Sequence, residues 1–564
     1  MSGSIAPRAT LTDIMKYLKK DAPQEVIDIL SRVEARADEC FQSLRLLKLP
    51  RNQAIWVVLT GAIVRIETEM VQHGDNNARF DTLLLNLSRL STTLIGWAIE
   101  HGKPPSKLIT KWTWNSGIQA IFDEALEVMN NYDSFLTCLP MWHKDRYLAE
   151  VLALSYVRFN APNGRRERQV SAYQKKFKPN EGKFKSARPT KPDQDPELQR
   201  LFKDVMGTCR KDSRLRFQYA DPTRLWFALL PEYQRRVNGI CRRADSINVG
   251  EYTLEEFKKF YAGLLVVCAA HEHLCFRWMQ QGYDFPIDSA VMVKQRARWT
   301  HILSILTGTP TELSIRMMAD LTLDTKHSLN LHVHPFVPLD AQGQLLALAP
   351  HFPLHSGLDE NILKICSLLR PAVYDAITLD KEEEMRAAIR TASKFCVEGP
   401  ATLPKSLPDI DLIIEDLRSS SVVIAEMKWA RKPLRPIEGA ARDADVSKGI
   451  VQLGRIRDFL RNNPDHLHLQ GKLSKPLNRY DHIHYLLVAR DHWLWIEPKD
   501  EIAIVEFDPF LHVLANSEDL NLGVDDLLTY DWLPVDGRDF FVRYERAAAN
   551  GVAIESEVFH PITT

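Results

Sequence analysis

The sequence predicts a multidomain chain of the α plus α/β class, with a mostly helical N-terminal region followed by an α/β domain. Three observations carry this. At 564 residues the chain exceeds what one hydrophobic core usually serves. Through the first 330 residues or so, apolar side chains recur at three- and four-residue steps. Beyond that point short apolar runs alternate with helical stretches, the pattern of an α/β domain.

The helical part begins between Gln24 and Leu47, where Val26, Leu30, Val33, Ala37, Cys40 and Leu44 fall on one helical face. A second helix is expected from Asp81 to Glu100, with Gly102 placed to end it. A third starts at Thr253, where Thr253 and Glu256 form a capping box. It runs through "GLLVVCAAHEHLCFRWMQQ" to Gly282, apolar enough for a central buried helix. Helical regions are thus expected over 1–160 and 197–330.

Between them, 161–196 reads as a basic linker or loop. From Arg165 to Lys191 it holds ten Lys/Arg against two Glu, with Tyr173, Phe177 and Phe184 interleaved. Such a segment either meets phosphates and stacks bases or is a solvated connection.

Residues 331–379 form a connecting segment with short extended pieces in "NLHVHPFVPLD" and "GQLLALAPHF" and a helix from Glu360 to Leu369. The α/β domain proper is expected over 380–515. It comprises a helix from Asp380 to Phe395, the strands "DIDLIIED" and "SSVVIAEMKW", a helix from Val446 to Arg461, and the strands "HIHYLLVAR" and "HWLWI". Residues 516–564 carry no nameable motif and read as a C-terminal extension.

The formal net charge of −1 excludes a uniformly basic nucleic-acid coat, so any such surface must be local. Eight cysteines without a CxxC pair argue against a zinc ribbon or a disulfide scaffold. With no signal sequence and no membrane-spanning apolar run, the expectation is a soluble, cytoplasmic protein without membrane association.

The chemistry-bearing pattern lies in "PDIDLIIEDLRSSSVVIAEMKW". Strand side chains alternate, so Asp409, Asp411 and Ile413 share one face, and Val422, Ile424, Glu426 and Lys428 share another. A hairpin centred between Arg418 and Ser419 sets Asp411 opposite Glu426 and Asp409 opposite Lys428. Carboxylates converging beside an ammonium suit a divalent cation with oxygen ligands. Such an ion offsets phosphodiester charge and acidifies an attacking water, and Lys428 would orient that water or stabilise transition-state charge. A strand-end salt bridge is the plain structural alternative.

This stretch resembles the PD-(D/E)xK, or restriction endonuclease-like, nuclease superfamily over roughly the segment 380–515. The resemblance implies an α/β/α core with a mixed sheet, in the order helix, three-strand meander, helix, strand. It implies catalytic roles for Asp411, Glu426 and Lys428, with Asp411 and Glu426 as ligands of Mg²⁺, for which Mn²⁺ substitutes. Asp409, which follows Pro408, is the alternative to Asp411. Gln452 matches a Gln that many members carry on the next helix, although Ile456 stands where the accompanying Tyr belongs. Glu382, with Glu383 and Glu384 as rivals, matches an extra metal ligand on the first core helix.

From Lys428 to Arg457 there are eight Lys/Arg against three Asp/Glu. Arg431, Lys432, Arg435, Arg442 and Lys448 are therefore candidate nucleic-acid contacts. The expected function is metal-dependent hydrolysis of nucleic-acid phosphodiester bonds, by a DNA endonuclease of prokaryotic restriction or phage defence. A repair or recombination nuclease and a catalytically idle nucleic-acid-binding or assembly module are the alternatives. No phosphate-binding P-loop occurs, so energy-driven tracking or sensing would need a separate ATPase or sensor partner; a homo-oligomer is equally open.

"HEHLC" at 271–275 lacks the second His of a zincin, and a buried His with a satisfied partner is expected there. His327, His332, His334, His351 and His355 form no recognisable zinc spacing.

Overall fold

The structure is a computed structural model that describes residues 23–561, apart from 74–76, 107–111, 144–146, 154–155, 161–168, 170–194, 212–216, 240–244, 325–330, 356–361, 367–370, 430–435, 491–500 and 550–551. The expected basic linker and the strand in "HWLWI" fall almost wholly outside those residues. No described helix is long and apolar enough to cross a membrane.

Four helices open the fold: α1 (Gln24–Ser43), α2 (Arg51–His73), α3 (Asn77–His101) and α4 (Ser116–His143). The apolar stripe of α1, with Val26, Ile29 and Leu30, packs on α4 and on the strands at the two ends of the chain, while α2 is buried over most of Ala54 to Ile66. Helix α2 accepts an apolar circumference because other elements surround it. The region expected to be helical to residue 160 ends instead in an antiparallel pair, β1 (Leu148–Ala153) and β2 (Tyr156–Asn160).

A second core forms around α5 (Pro196–Thr208), α6 (Thr223–Asn238) and α7 (Leu254–Gln280). Helix α7 starts at the Thr253–Glu256 capping box, and most of its side chains are buried. Strand β3 (Met292–Gln295), helices α8 (Arg296–Thr307) and α9 (Thr311–Asp320), and strands β4 (Phe336–Pro338) and β5 (Leu345–Leu348) follow. The three strands form a small sheet ordered β3-β5-β4.

The α/β domain begins with α10 (Pro371–Ala392), which reaches back into the expected connecting segment. Strands β6 (Cys396–Glu398), β7 (Leu412–Asp416) and β8 (Ser421–Trp429) form an antiparallel meander. Helix α11 (Pro436–Asn462) then carries the chain over the sheet to β9 (His482–Arg490), parallel to β8, and β10 (Ile502–Glu506), parallel to β9. The mixed sheet is ordered β10-β9-β8-β7-β6.

Period-two alternation sorts the sheet's side chains. Ile413, Val422, Ile424 and Leu487 meet Leu453, Ile456 and Leu460 of α11 on one face. Leu412, Ile414, Val423, Ala425 and Met427 meet Met385 and Ile389 of α10 on the other. That second face also receives α12 (Phe507–Asn516) and α13 (Leu520–Leu528).

The stretch 516–564 is therefore no appendage. Its helix α13 buries Leu520, Val524 and Leu527 against the sheet. Its hairpin, β11 (Phe540–Ala549) with β12 (Val552–Pro561), adds to the N-terminal pair in the order β1-β2-β12-β11. Ile554 sinks into the core of α1–α4, and Arg158 donates to Glu555 at 2.9 Å. The sheet edge that β12 needs lies at the other end of the sequence, so no local pattern announces the pairing.

Candidate active site

The hairpin of β7 and β8 runs from Asp416 opposite Ser421 to Leu412 opposite Ala425. The same register carried one step further sets Asp411 against Glu426. There β7 ends while β8 continues to Trp429, so the N–H groups along that edge of β8 lack a strand partner. Two carboxylates take their place. Asp411 Oδ2 accepts from the Met427 N–H at 2.8 Å, and Glu382 Oε1 of α10 accepts from the Trp429 N–H at 3.3 Å. The two-residue spacing is that of successive inward N–H groups on one strand edge.

Asp409 does not join them. It is exposed and accepts from the Leu403 N–H at 3.2 Å, closing the loop before β7. An isolated bridge between Ala401 and Ile410 turns the chain there, so Asp409 never reaches a position opposite Lys428. Asp411 is the carboxylate at the site. Gly399 makes room for it: its φ is +119°, and a Cβ would stand 2.7 Å from the Asp411 carbonyl oxygen.

The Lys428 ammonium donates to Glu426 Oε1 at 2.6 Å. Burial, and next the Asp411 carboxylate, push the Glu426 carboxyl up to about 7, against the pull of Lys428. Burial also raises Glu382; the Trp429 N–H opposes that, and Asp411 adds to it. For Lys428, burial works downward but is outweighed by Glu426, with Glu382 and Asp411, so the ammonium is raised.

Glu382 is separated from its rivals by burial. Glu383 is tied to Arg386 at 2.7 Å and Arg390 at 3.1 Å, while the exposed Glu384 pairs with Lys381. Arg386, one helical turn beyond Glu382, also reaches Asp411 Oδ1 at 3.4 Å. The sequence reading missed Arg386, although its four-residue spacing from Glu382 was the available signal.

A cleft of about 210 Å³ opens beside these groups, lined among others by Glu382, Lys428, Trp429, Asp445, Lys448 and Arg490. Lys448 thus shares the cleft with Lys428 and Glu382. Arg490, at the end of β9, adds a cation that sequence spacing did not reveal. On α11, Gly449 sits over Lys428, and Gln452 has a buried Oε1 with no hydrogen-bond partner among the described residues. Arg431, Lys432 and Arg435 lie outside the described residues, and of Arg442 only its place in α11 is described.

Carboxylates are the ligand type that a hard divalent cation takes. Asp411, Glu426 and Glu382 bring three carboxylates to one strand end, although their oxygens do not all come within 4.8 Å of one another; burial first, and the Asp411 charge next, raise Glu426. The unpartnered Gln452 oxygen is a further neutral acceptor on the neighbouring helix.

The set-aside histidines resolve differently. His271 is held by the Tyr219 hydroxyl at 2.6 Å and the Ser289 carbonyl at 3.0 Å, as a satisfied core histidine. His332 contacts the Phe352 carbonyl at 2.8 Å. No family model, curated protein or solved structure matches this chain.

Proposed function

We propose that the α/β domain is a metal-dependent nuclease of the PD-(D/E)xK type that hydrolyses phosphodiester bonds of DNA. The observation that carries this reading is the meeting of Asp411, Glu426 and Lys428 where β8 outruns β7. A salt bridge closing a strand needs one carboxylate and one cation. It does not require the buried Glu382 beside Asp411 and Glu426, whose mutual repulsion adds a cost although Asp411 and Glu382 also accept from strand N–H groups.

Asp411, Glu426 and Glu382 would hold Mg²⁺ or Mn²⁺, which when bound supplies charge neutralisation at phosphorus and a more acidic water. Lys428 stands beside those carboxylates to orient a water or to meet charge that builds on the phosphate oxygens. Lys448 and Arg490, on the cleft wall, would hold the adjoining backbone phosphates. The order of α10, the meander, α11 and β9 fits the core arrangement that the resemblance implies.

One observation favours a catalytically idle, nucleic-acid-binding form. Arg386 approaches Asp411, and Lys428 is closed onto Glu426, so two of the three acids at the site already face a cation. Cleavage of plasmid, linear and single-stranded substrates with Mg²⁺ or Mn²⁺ separates the two. Activity in the wild type that disappears in Lys428→Ala and Asp411→Ala supports the nuclease; undiminished cutting by both variants removes it. Binding without cleavage under every condition favours the idle form.

A further inference from the structure

A second cluster of ligand-type side chains lies in the helical part of the fold, on elements other than those of the acidic site. Glu67 stands on α2 and Glu272 on α7. His351 and His355 bracket a short helix, His351–Leu354, that follows β5. The four-residue step turns both imidazoles to one side of that turn. His351 Nε2 lies 2.6 Å from Glu67 Oε1 and 3.5 Å from Glu272 Oε1. The same Glu272 oxygen lies 3.1 Å from His355 Nε2.

We propose that Glu67, Glu272, His351 and His355 form a binding site for one divalent transition-metal ion of the Zn²⁺ class, which ties the two helical cores together. Three features carry the inference. Donor atoms from three separate chain segments converge, with those of Glu67, Glu272 and His351 all within 4.8 Å of one another. A tetrahedral ion with bonds of 2.0–2.1 Å needs neighbouring donors roughly 3.3 Å apart. For Glu67, Glu272 and His351 the distances of 2.6 and 3.5 Å bracket that value, whereas His355, 3.1 Å from Glu272, stands outside that three-residue group and must swing inward to become the fourth ligand.

Charge and donor chemistry agree. Two carboxylates with two neutral imidazoles carry two negative charges into a place where both histidines are almost fully buried. One divalent cation balances them, and two imidazole nitrogens with two carboxylate oxygens suit zinc better than magnesium or calcium. The carboxylate side chains, 24% and 15% exposed, leave an entry path. The "HEHLC" run contributes through its Glu272, because His271 is already held by Tyr219 and Ser289.

The test uses the full chain carrying Asp411→Asn and Glu426→Gln, so that the acidic site of the α/β domain no longer competes for metal. The protein is stripped with chelator, equilibrated with limiting Zn²⁺, and its metal content measured by mass spectrometry. One zinc ion per chain is expected, with a rise in melting temperature on zinc addition. Adding His351→Gln or His355→Gln should weaken zinc binding on the order of 100-fold and abolish the thermal shift. Should either variant lose its native circular dichroism, Glu67→Gln on the more exposed side supplies the same readout. A parent chain that holds no zinc, or zinc retained undiminished by all three variants, overturns the proposal: the four groups are then an ion-pair network only. Neither result bears on the nuclease reading, which rests on other residues.

Discussion

Gly449 of α11 lies directly over the stem of Lys428. A Cβ at that position would stand 3.3 Å from Lys428 Cε and 2.7 Å from Leu487 Cδ1. The missing side chain lets helix and sheet approach closely enough to hold the ammonium against Glu426. Gly449→Ala should therefore overpack this contact, costing about 1–3 kcal/mol in denaturant unfolding and lowering any cleavage activity in parallel with its displacement of Lys428. Wild-type stability and activity in this variant would mean that the close approach has no consequence.

Asp411 has two separable roles, as a charge and as an acceptor for the Met427 N–H. Asp411→Asn keeps an acceptor oxygen and removes the charge, whereas Asp411→Ala removes both. Under the nuclease reading both substitutions lower the rate, by an amount on the order of 10²–10³-fold or more. Only Ala should also cost about 1–3 kcal/mol of stability, through a buried N–H left without a partner. Equal stability of the two variants would show that the strand-end hydrogen bond contributes nothing; full activity in Asn would remove the need for charge at Asp411.

The hairpin that makes this site was legible because its signals are local. Apolar runs on both strands and a short polar turn announce a hairpin. A strand's period of two then gathers Asp411, Glu426 and Lys428 at one end, although only the observed pairing settles the register. The choice between Asp409 and Asp411 was not legible, since it depends on the Ala401–Ile410 bridge that turns the chain before β7. Glu382 was half legible, as one face of a helix whose facing strand end the sequence does not name, and Arg386 was missed. Arg490 was hidden, because its place at the cleft follows from the parallel pairing of β8 with β9. The Glu67–Glu272–His351–His355 cluster was hidden for the same kind of reason: its spacing is regular only within His351 and His355.

Stability should respond to pH through two opposed sets of groups. Burial lowers His271, His332 and His334 from 6.5 to about 4 in the folded chain. Between those values the unfolded chain binds more protons, so the stability these groups contribute is complete above about 6.5 and is lost as pH falls toward 4. Glu426 acts the other way. Its folded value lies above its ordinary 4.5, so it favours folding in acid, and that contribution disappears as pH rises through about 7. In chelator-treated protein the three histidines should dominate, giving net loss of stability on acidification. Glu426→Gln should gain stability relative to wild type progressively from pH 4.5 to 7, as read by urea unfolding at each pH. A wild-type–mutant difference that does not change over this range would show that Glu426 is not held protonated.

The C-terminal hairpin allows burial to be weighed against an ion pair at one junction. Phe540, Ala553 and Ile554 are buried, and β12 covers the edge of β2 from Tyr156 to Phe159. Ending the chain at residue 539 removes that cover, uncovers Val157 and Phe159, and leaves the N–H and C=O groups of β2 open to pairing with another chain. The truncated protein should melt earlier and self-associate on size-exclusion chromatography. Glu555→Ala, by contrast, removes only the partly exposed pair with Arg158 and should change stability by no more than about 1 kcal/mol. If Glu555→Ala proved as damaging as the truncation, the ion pair and not the buried strand would hold the two ends of the chain together.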